Sequence, residues 1–180
     1  MNVNTNQTRI KQYKQLFIPP LVLFVFWLIL TGSFTASSLI MGFLAAVIIS
    51  WLCAPLLNFP AVHTPGKSYA AFDLPYFKLF FYLLWLLWEI FKADVRVALI
   101  VLNPKLPIDP CVVTFKKRAD NPIALALLAN SITITPGTVT VDIKDDLFTV
   151  HALTKDMALS LAPEEGVGEM PQRVGNLFKE

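Results

Sequence analysis

Residues 16–62 read LFIPPLVLFVFWLILTGSFTASSLIMGFLAAVIISWLCAPLLNFPAV, and no Asp, Glu, Lys or Arg interrupts them. A helix needs about 20 apolar residues to cross the roughly 30 Å hydrocarbon core of a bilayer. The stretch is therefore too long for one crossing and has a suitable length for two. The natural break is TGSFT at residues 31–35, where small and polar residues interrupt the run. The sequence thus predicts an α-helical transmembrane hairpin over residues 16–57.

Basic residues indicate on which side of the membrane the two ends of this hairpin lie. Arg9, Lys11 and Lys14 precede the apolar run without an acidic neighbour, and Lys67 follows it. Because cytoplasmic segments next to membrane helices carry an excess of Lys and Arg, we expect residues 1–15 to form a cytoplasmic N-terminus. A secretory signal peptide is the alternative interpretation of the first run, but it leaves the second run unexplained.

Prolines and serines predict where the two crossings begin. Pro19 and Pro20 are tolerated in a first helical turn, whose backbone N–H groups lack partners, so the first crossing is expected to start there and to end near Leu30. Ser37 or Ser38 is expected to cap the second crossing.

Small residues within the second crossing indicate close helix packing. Gly42 and Ala46 are spaced so that another helix can approach closely, either the first crossing or a helix of a partner. The second crossing is expected to end at Pro55. Residues 58–68, rich in turn-forming residues, are expected to be a loop.

A third apolar segment, residues 72–102, is ambiguous. Only Leu79–Trp88 is free of charge, which is about 15 Å of helix and half of what a crossing needs. At 100° per residue, one narrow helix face collects the polar and amphipathic side chains, and the other faces are apolar. This pattern favours an interfacial amphipathic helix, and the alternative is a third membrane helix in which Pro75–Phe91 crosses. The narrow face comprises Lys78, Tyr82, Trp85, Glu89, Lys92 and Arg96.

A small cytoplasmic α/β domain of order β-α-β-β-α is predicted over residues 105–162, and its Lys and Arg residues favour the cytoplasmic side. Residues 163–180, rich in Glu, Gly and Pro, are expected to form a poorly ordered tail. The predicted domain elements are a strand at Cys111–Phe115, a helix at Ile123–Ala129 capped by Asp120 or Asn121, a strand at 139–143, a return strand at Leu147–Leu153 and a helix from Thr154 to Leu161.

Residue types that carry chemistry are scarce in this chain. It has no Gly-rich phosphate loop, no Ser motif with flanking glycines and no His pair at i, i+4, so we expect no enzyme activity and no cofactor. Cys53 and Cys111 are expected to be free thiols, and no metal site is predicted. A net charge of +2 without a basic stripe argues against nucleic-acid binding.

The two predicted crossings contain no Asp, Glu, Lys, Arg or His. Proteins that move protons or cations through lipid generally need carboxylates, lysines or histidines along the path. The chain alone is therefore not expected to transport ions. The two histidines of the chain, His63 and His151, are interpreted as a solvated loop residue and a hydrogen-bonded strand residue, with titrating groups as the alternative.

One block of sequence is specific enough to indicate a family. Residues 128–142 read LANSITITPGTVTVD, and VHAL follows at residues 150–153. This block resembles the E-type subunit of the Mrp-type (Mnh or Pha) multisubunit sodium or potassium/proton antiporters. Trp88-Glu89 and Leu102-Asn103-Pro104 are similar to the helix that precedes the domain in that family, so the resemblance covers about residues 20–155.

The resemblance implies an accessory subunit in the bacterial inner membrane, needed for assembly or activity. Its partners would be the lipid bilayer and the other subunits of the antiporter complex, of which larger subunits would form the ion path.

Two groups of residues are candidates for subunit contact. The first is Asn130 with the turn Thr135-Pro136-Gly137-Thr138, which either docks a neighbouring subunit or only makes a tight turn with Thr hydroxyls bound to the backbone. The second group is Glu89, Lys92 and Arg96, together with His151, and a solvated stripe is the alternative for the three charged residues.

Two other functions stay open at this point. A stand-alone membrane-anchored binding or scaffold protein predicts a stable monomer or homodimer in detergent. A membrane enzyme that uses His151 and Asp142 is disfavoured, because no further polar residues cluster with them in the sequence.

Overall fold

The structure is a computed structural model in which the chain forms two compact units. It describes residues 3–163 and 166–178, with side chains from residue 17 onward. The first unit contains residues up to 61 and residues 65–74, and the second contains residues 62–64 and the chain from residue 75.

Two long helices make up most of the first unit. Helix α1 runs over Val3–Thr31 and helix α2 over Ala36–Cys53, followed by a 3₁₀ turn at Ala54–Leu57. Helix α1 begins before Pro19, where the first crossing was predicted to start, so both prolines lie inside the helix. Within the part of the chain whose side chains are described, only Ala36–Leu57 is long and apolar enough to cross a membrane, and Phe17–Thr31 is apolar but shorter.

Helix α1 packs against the small residues of α2. Gly42 and Ala46 are buried, and a Cβ on Gly42 would lie 2.3 Å from the Trp27 ring. The indole Nε1–H of Trp27 donates to the backbone oxygen of Ser38 at 3.1 Å. Ser38 is thus part of this contact, and the N-cap of α2 is Thr35 rather than the predicted Ser37 or Ser38.

A short antiparallel hairpin occupies most of the segment predicted as a loop. Strand β1, Asn58–Pro60, pairs with β2, Ser68–Ala70, and Phe59 lies opposite Tyr69. The loop prediction was correct for residues 61–67 and wrong for 58–60 and 68, because Pro60 sits at the last residue of a strand, where a missing donor is tolerated.

The second unit is an α/β domain preceded by a long helix. Strand order in its sheet is β3-β5-β4, with both pairs antiparallel. The predicted β-α-β-β-α order is present and is extended by one further helix. The elements are α3 Tyr76–Leu102, β3 Cys111–Lys116, α4 Pro122–Ile134, β4 Thr138–Lys144, β5 Leu147–Ala152, α5 Lys155–Leu161 and α6 Glu169–Phe178.

Local capping signals determine two helix starts in this domain. Asn121 is the N-cap of α4 and accepts the Ile123 N–H at 3.0 Å, and Thr154 caps α5 by accepting the Met157 N–H at 3.4 Å. Helix α4 continues past its predicted end at Ala129, because Ser131 and Ile132 extend its buried face.

Helix α6 replaces the predicted poorly ordered tail within the described residues. Met170, Val174 and Leu177 recur at helical spacing and are buried in the main core. Arg173 lies over the Trp85 ring, 4.5 Å from its centroid, and pairs with Glu169 at 2.7 Å. Three apolar residues among glutamates and glycines were too sparse to reveal this helix in the sequence.

Helix α3 has two distinct faces along its whole length. Tyr82, Leu86 and Ala93 are buried against the domain, and the Tyr82 hydroxyl donates to the Ser131 Oγ at 2.7 Å. Contacts with the domain continue to Ile100, which packs beside Ala152 and Met157. The opposite face is apolar and exposed; it includes Phe77, Phe80, Leu84, Leu87, Trp88, Phe91, Val95, Leu99 and Leu102.

The packing of α1 on α2 predicts that a larger residue in place of Gly42 lowers the stability of the chain. Gly42→Val places two methyl groups against the Trp27 ring and should destabilise the chain by about 1–3 kcal/mol, the usual cost of overpacking. Met41→Val is the control, because Met41 is 61% exposed and the same β-branched residue is introduced into the same helix. Thermal unfolding in detergent, followed by tryptophan fluorescence, should show a lower midpoint for Gly42→Val only. Equal shifts for both variants would contradict the packing of Trp27 on Gly42.

Candidate functional site

A cavity of about 250 Å³ lies within the second unit, between α3 and the turn that joins α4 to β4. It contains charged groups of both signs and several hydroxyls, and apolar side chains from α5 and α6 close its floor. The lining residues are Trp85, Glu89, Lys92, Ala93, Arg96, Thr135, Pro136, Thr138, Met157, Ser160, Leu161, Glu169 and Met170.

The turn Thr135–Thr138 is held in place by its own hydrogen bonds. The Thr138 hydroxyl donates to the Ile132 carbonyl at 2.7 Å, and the Thr135 hydroxyl donates to the Ser131 carbonyl at 2.8 Å. The Gly137 carbonyl accepts the Leu153 N–H at 2.8 Å. These bonds close the last turn of α4 and fix Pro136 at the wall of the cavity.

Gly137 is required at this turn for two reasons. Its φ of +89° lies in the left-handed region, and an added Cβ would lie 2.5 Å from the Met157 sulfur. The chain therefore passes close to α5 only because no side chain is present.

The charged residues of α3 lie along one edge of the cavity. The Lys92 ammonium donates to the Glu89 carboxylate, whose side chain is about three-quarters buried. Arg96, one turn further along α3, is exposed. The charged stripe thus faces the domain over Glu89 and Lys92, and only Arg96 is as exposed as the alternative of a solvated stripe requires.

The structure brings together six of the nine sequence candidates. Glu89, Lys92, Arg96, Thr135, Pro136 and Thr138 line the cavity, and Gly137 completes the turn behind them.

His151 and Asn130 lie elsewhere. His151 is exposed on the outer face of the central strand, between Val112 and Val139, and Asn130 is exposed on α4. Asp142 lies opposite Thr149, in a different row of the sheet from His151, and its carboxylate accepts the N–H of Ile143 at 2.8 Å.

A contact that the sequence did not predict holds residues 62–64 on the domain. His63 Nε2 lies 2.8 Å from Asp146 Oδ1, and the Asp146 side chain is only 6% exposed. The backbone N–H groups of His63 and Thr64 both donate to Asp120 Oδ1 at 3.1 Å. His63 lies in an exposed loop, as the sequence predicted, but it is also bound to the domain through Asp146. No local pattern signals this pair, since the two residues are 83 positions apart.

Metal-binding clusters are absent from the residues that the structure describes. No three His, Cys, Asp or Glu side chains there are arranged to hold a metal ion. Cys53 and Cys111 are free thiols. What the fold presents is an apolar helical unit, an α/β domain and a polar cavity lined by the turn Thr135–Thr138.

Comparison with known proteins identifies the family. Residues 20–174 match the family described as Na⁺/H⁺ ion antiporter subunit (MNHE), so the chain belongs to this family. The Na⁺/H⁺ antiporter E1 subunit of Staphylococcus saprophyticus subsp. saprophyticus is 30% identical over 154 residues, 86% of this chain and 90% of the relative. The protein of the same name from Staphylococcus epidermidis is 29% identical over 130 residues, 72% of this chain and 76% of the relative.

A solved structure is similar as well. A chain in the membrane-bound sulfane sulfur reductase (MBS), an archaeal respiratory membrane complex, matches with a TM-score of 0.59 and 32% identity. The match covers 77% of this chain and 82% of that one.

The conformation of Gly137 predicts a large effect of a small substitution. Gly137→Ala should cost about 1–2 kcal/mol for the left-handed backbone and about 1 kcal/mol or more for displacing Met157. Gly66→Ala is the matched control, because Gly66 has a φ of +79° and nothing within 4 Å of an added Cβ. Thermal unfolding in detergent should therefore shift more for Gly137→Ala. The close approach to Met157 would be refuted by shifts of the same size.

The His63–Asp146 pair predicts a measurable contribution to stability. His63→Ala leaves the buried Asp146 carboxylate without this partner and should lower the free energy of unfolding by about 1–3 kcal/mol. Tryptic cleavage after Lys67 should also become faster. The control is His151→Ala, which removes the other histidine from an exposed position and should change stability by less than about 0.5 kcal/mol. A His63→Ala variant as stable and as protease-resistant as the unmodified chain would exclude the contact.

Proposed function

We propose that this chain is an accessory integral-membrane subunit of a multisubunit monovalent cation/proton antiporter, needed for assembly or activity rather than for carrying ions. The observation that carries the proposal is the lack of any Asp, Glu, Lys, Arg or His between Leu16 and Val62 in a member of this antiporter subunit family. A path for protons or cations through lipid needs such groups, so larger partner subunits must supply it. The relatives named above support sodium among the transported cations.

In this proposal α1 and α2 cross the membrane as a hairpin. Their packing through Gly42, Ala46 and Trp27 supports this arrangement, since small residues bring membrane helices together when no hydrophobic effect can do so. The basic residues Arg9, Lys11 and Lys14 place the N-terminus in the cytoplasm. Both ends of the hairpin then lie on that side, and the domain follows there.

Helix α3 lies in the membrane interface rather than across the bilayer. The domain packs along α3 from Leu79 to Ile100, about 30 Å of helix, which is the thickness of the hydrocarbon core. A crossing helix would therefore carry the domain into lipid, where exposed Lys116 and Arg118 would each cost about 2.5–3.5 kcal/mol. An interfacial helix instead buries its apolar face in the bilayer and keeps the domain in water.

The cavity lined by Glu89, Arg96 and Pro136 is the site where another subunit docks. Glu89 is already paired with Lys92, so Arg96 is the charge best placed to bind a carboxylate of the partner. The rigid turn behind it supplies a fixed surface at low entropic cost. The similar chain in MBS belongs to a respiratory membrane complex, which supports assembly with other membrane subunits.

A stand-alone scaffold protein is the alternative, and purification separates the two. Solubilisation of the native membrane in mild detergent should recover the chain with other antiporter subunits. Recovery only as a monomer or homodimer would favour the scaffold.

Charge reversal at the cavity tests the docking site. Arg96→Glu should lower the amount of co-purified subunits by about tenfold or more, because a charge-assisted hydrogen bond contributes about 1.5–3 kcal/mol. Asp94→Lys is the matched control: Asp94 is also an exposed charge on α3 but does not line the cavity. Co-purification and sodium/proton exchange in everted vesicles should both fall for Arg96→Glu alone. Full assembly and full sodium/proton exchange in Arg96→Glu would show that Arg96 does not contribute to the interface.

The turn itself is tested separately by Pro136→Gly. If the turn docks a subunit, antiport should fall while the chain keeps its thermal stability, since the Thr135 and Thr138 hydroxyl bonds do not involve the proline ring. If thermal stability falls together with antiport in Pro136→Gly, the turn has only a structural role.

A further inference from the structure

An apolar groove of about 510 Å³ lies between α1 and α2 in the first unit. Its volume is within the range of small-molecule and cofactor pockets. Its lining residues are aromatic or aliphatic, and Ser50 is the exception. The lining residues are Phe17, Pro20, Leu21, Phe24, Phe43, Val47, Ser50, Trp51 and Ala54.

The exception, Ser50, has a buried hydroxyl without a partner. Among the described residues, the Ser50 Oγ is the buried side-chain oxygen or nitrogen that makes no hydrogen bond. A serine in a membrane helix usually donates to a carbonyl of its own helix, as Thr31 does to the Trp27 carbonyl at 2.9 Å. An unpaired hydroxyl in apolar surroundings is costly, so an acceptor from a bound molecule would stabilise it.

The groove lies toward one end of the helix pair. Phe17 belongs to the half of α1 that follows the basic residues Lys11 and Lys14 in the sequence, and Ala54 follows the last residue of α2. Under the topology proposed above, this is the cytoplasmic end. A lipid of the inner leaflet has its ester carbonyls at that depth and its phosphate further out, near the basic segment.

We propose that this groove binds one acyl chain of an anionic phospholipid of the inner leaflet. The ester carbonyl of the lipid accepts a hydrogen bond from the Ser50 hydroxyl, and the basic sequence before Phe17 favours an anionic headgroup. A neighbouring helix fits less well, because a helix is about 10 Å across and uses its backbone carbonyls within itself. The inference rests on the membrane insertion of α1 and α2 proposed above.

Native mass spectrometry of the full chain, released from nanodiscs of equal parts phosphatidylglycerol and phosphatidylcholine, tests this site. The unmodified chain should retain one phosphatidylglycerol in preference to phosphatidylcholine. Val47→Phe should abolish this retention by filling the groove. Ile48→Phe, on an exposed residue outside the groove, should leave it unchanged.

Ser50→Ala provides the second variant, since it keeps the shape of the helix. It should lower phosphatidylglycerol retention about fivefold, the effect of losing one hydrogen bond. Equal retention of the two lipids, or full retention in Ser50→Ala, would overturn the proposal. So would photo-crosslinking from position 47, in the intact complex, to another subunit instead of lipid. Failure of insertion is distinguishable, because the chain would then be missing from the nanodisc fraction.

Discussion

The two-faced packing of α3 is the constraint on which the rest of this architecture depends. One face buries Tyr82, Leu86 and Ala93 in the core of the domain, and the other exposes aromatic and aliphatic side chains along 27 residues. Both faces need a partner that buries their apolar side chains. The small sheet of the domain needs the first face to close its core. The second face needs lipid or protein to cover it. The domain therefore depends on the helix before it for its core.

The same packing determines which residues line the cavity. Glu89 and Arg96 lie on the flank of α3 between its buried face and its apolar face, so they meet the domain at the turn Thr135–Thr138. The turn is held in position by two contacts. The Thr138 hydroxyl donates to the Ile132 carbonyl at the end of α4, and Gly137 packs closely against Met157. A partner that binds here would contact α3 and the turn between α4 and β4 simultaneously.

Elements with local signals were predictable from the sequence, and elements held by distant contacts were not. The strand pair around the turn at Asp145 alternates inward and outward residues, and Asn121 with Pro122 marks a helix start, so both followed from short patterns. Helix α6 and the His63–Asp146 pair depend on partners far along the chain. For the candidate site, the residues were identifiable as two separate groups, but only the fold shows that the turn and the charged stripe of α3 enclose one cavity.

The depth of α3 in the bilayer tests the central claim most directly. Nitroxide labels at Phe80, Leu84, Phe91 and Leu102 would report it by electron paramagnetic resonance, after replacement of Cys53 and Cys111 by serine, in the full chain reconstituted in anionic vesicles. These four residues lie on the exposed face and extend over most of the helix. An interfacial helix predicts the same shallow depth at all four positions. A depth that is greatest near Phe91 and falls toward opposite headgroup layers at the two ends would contradict the account.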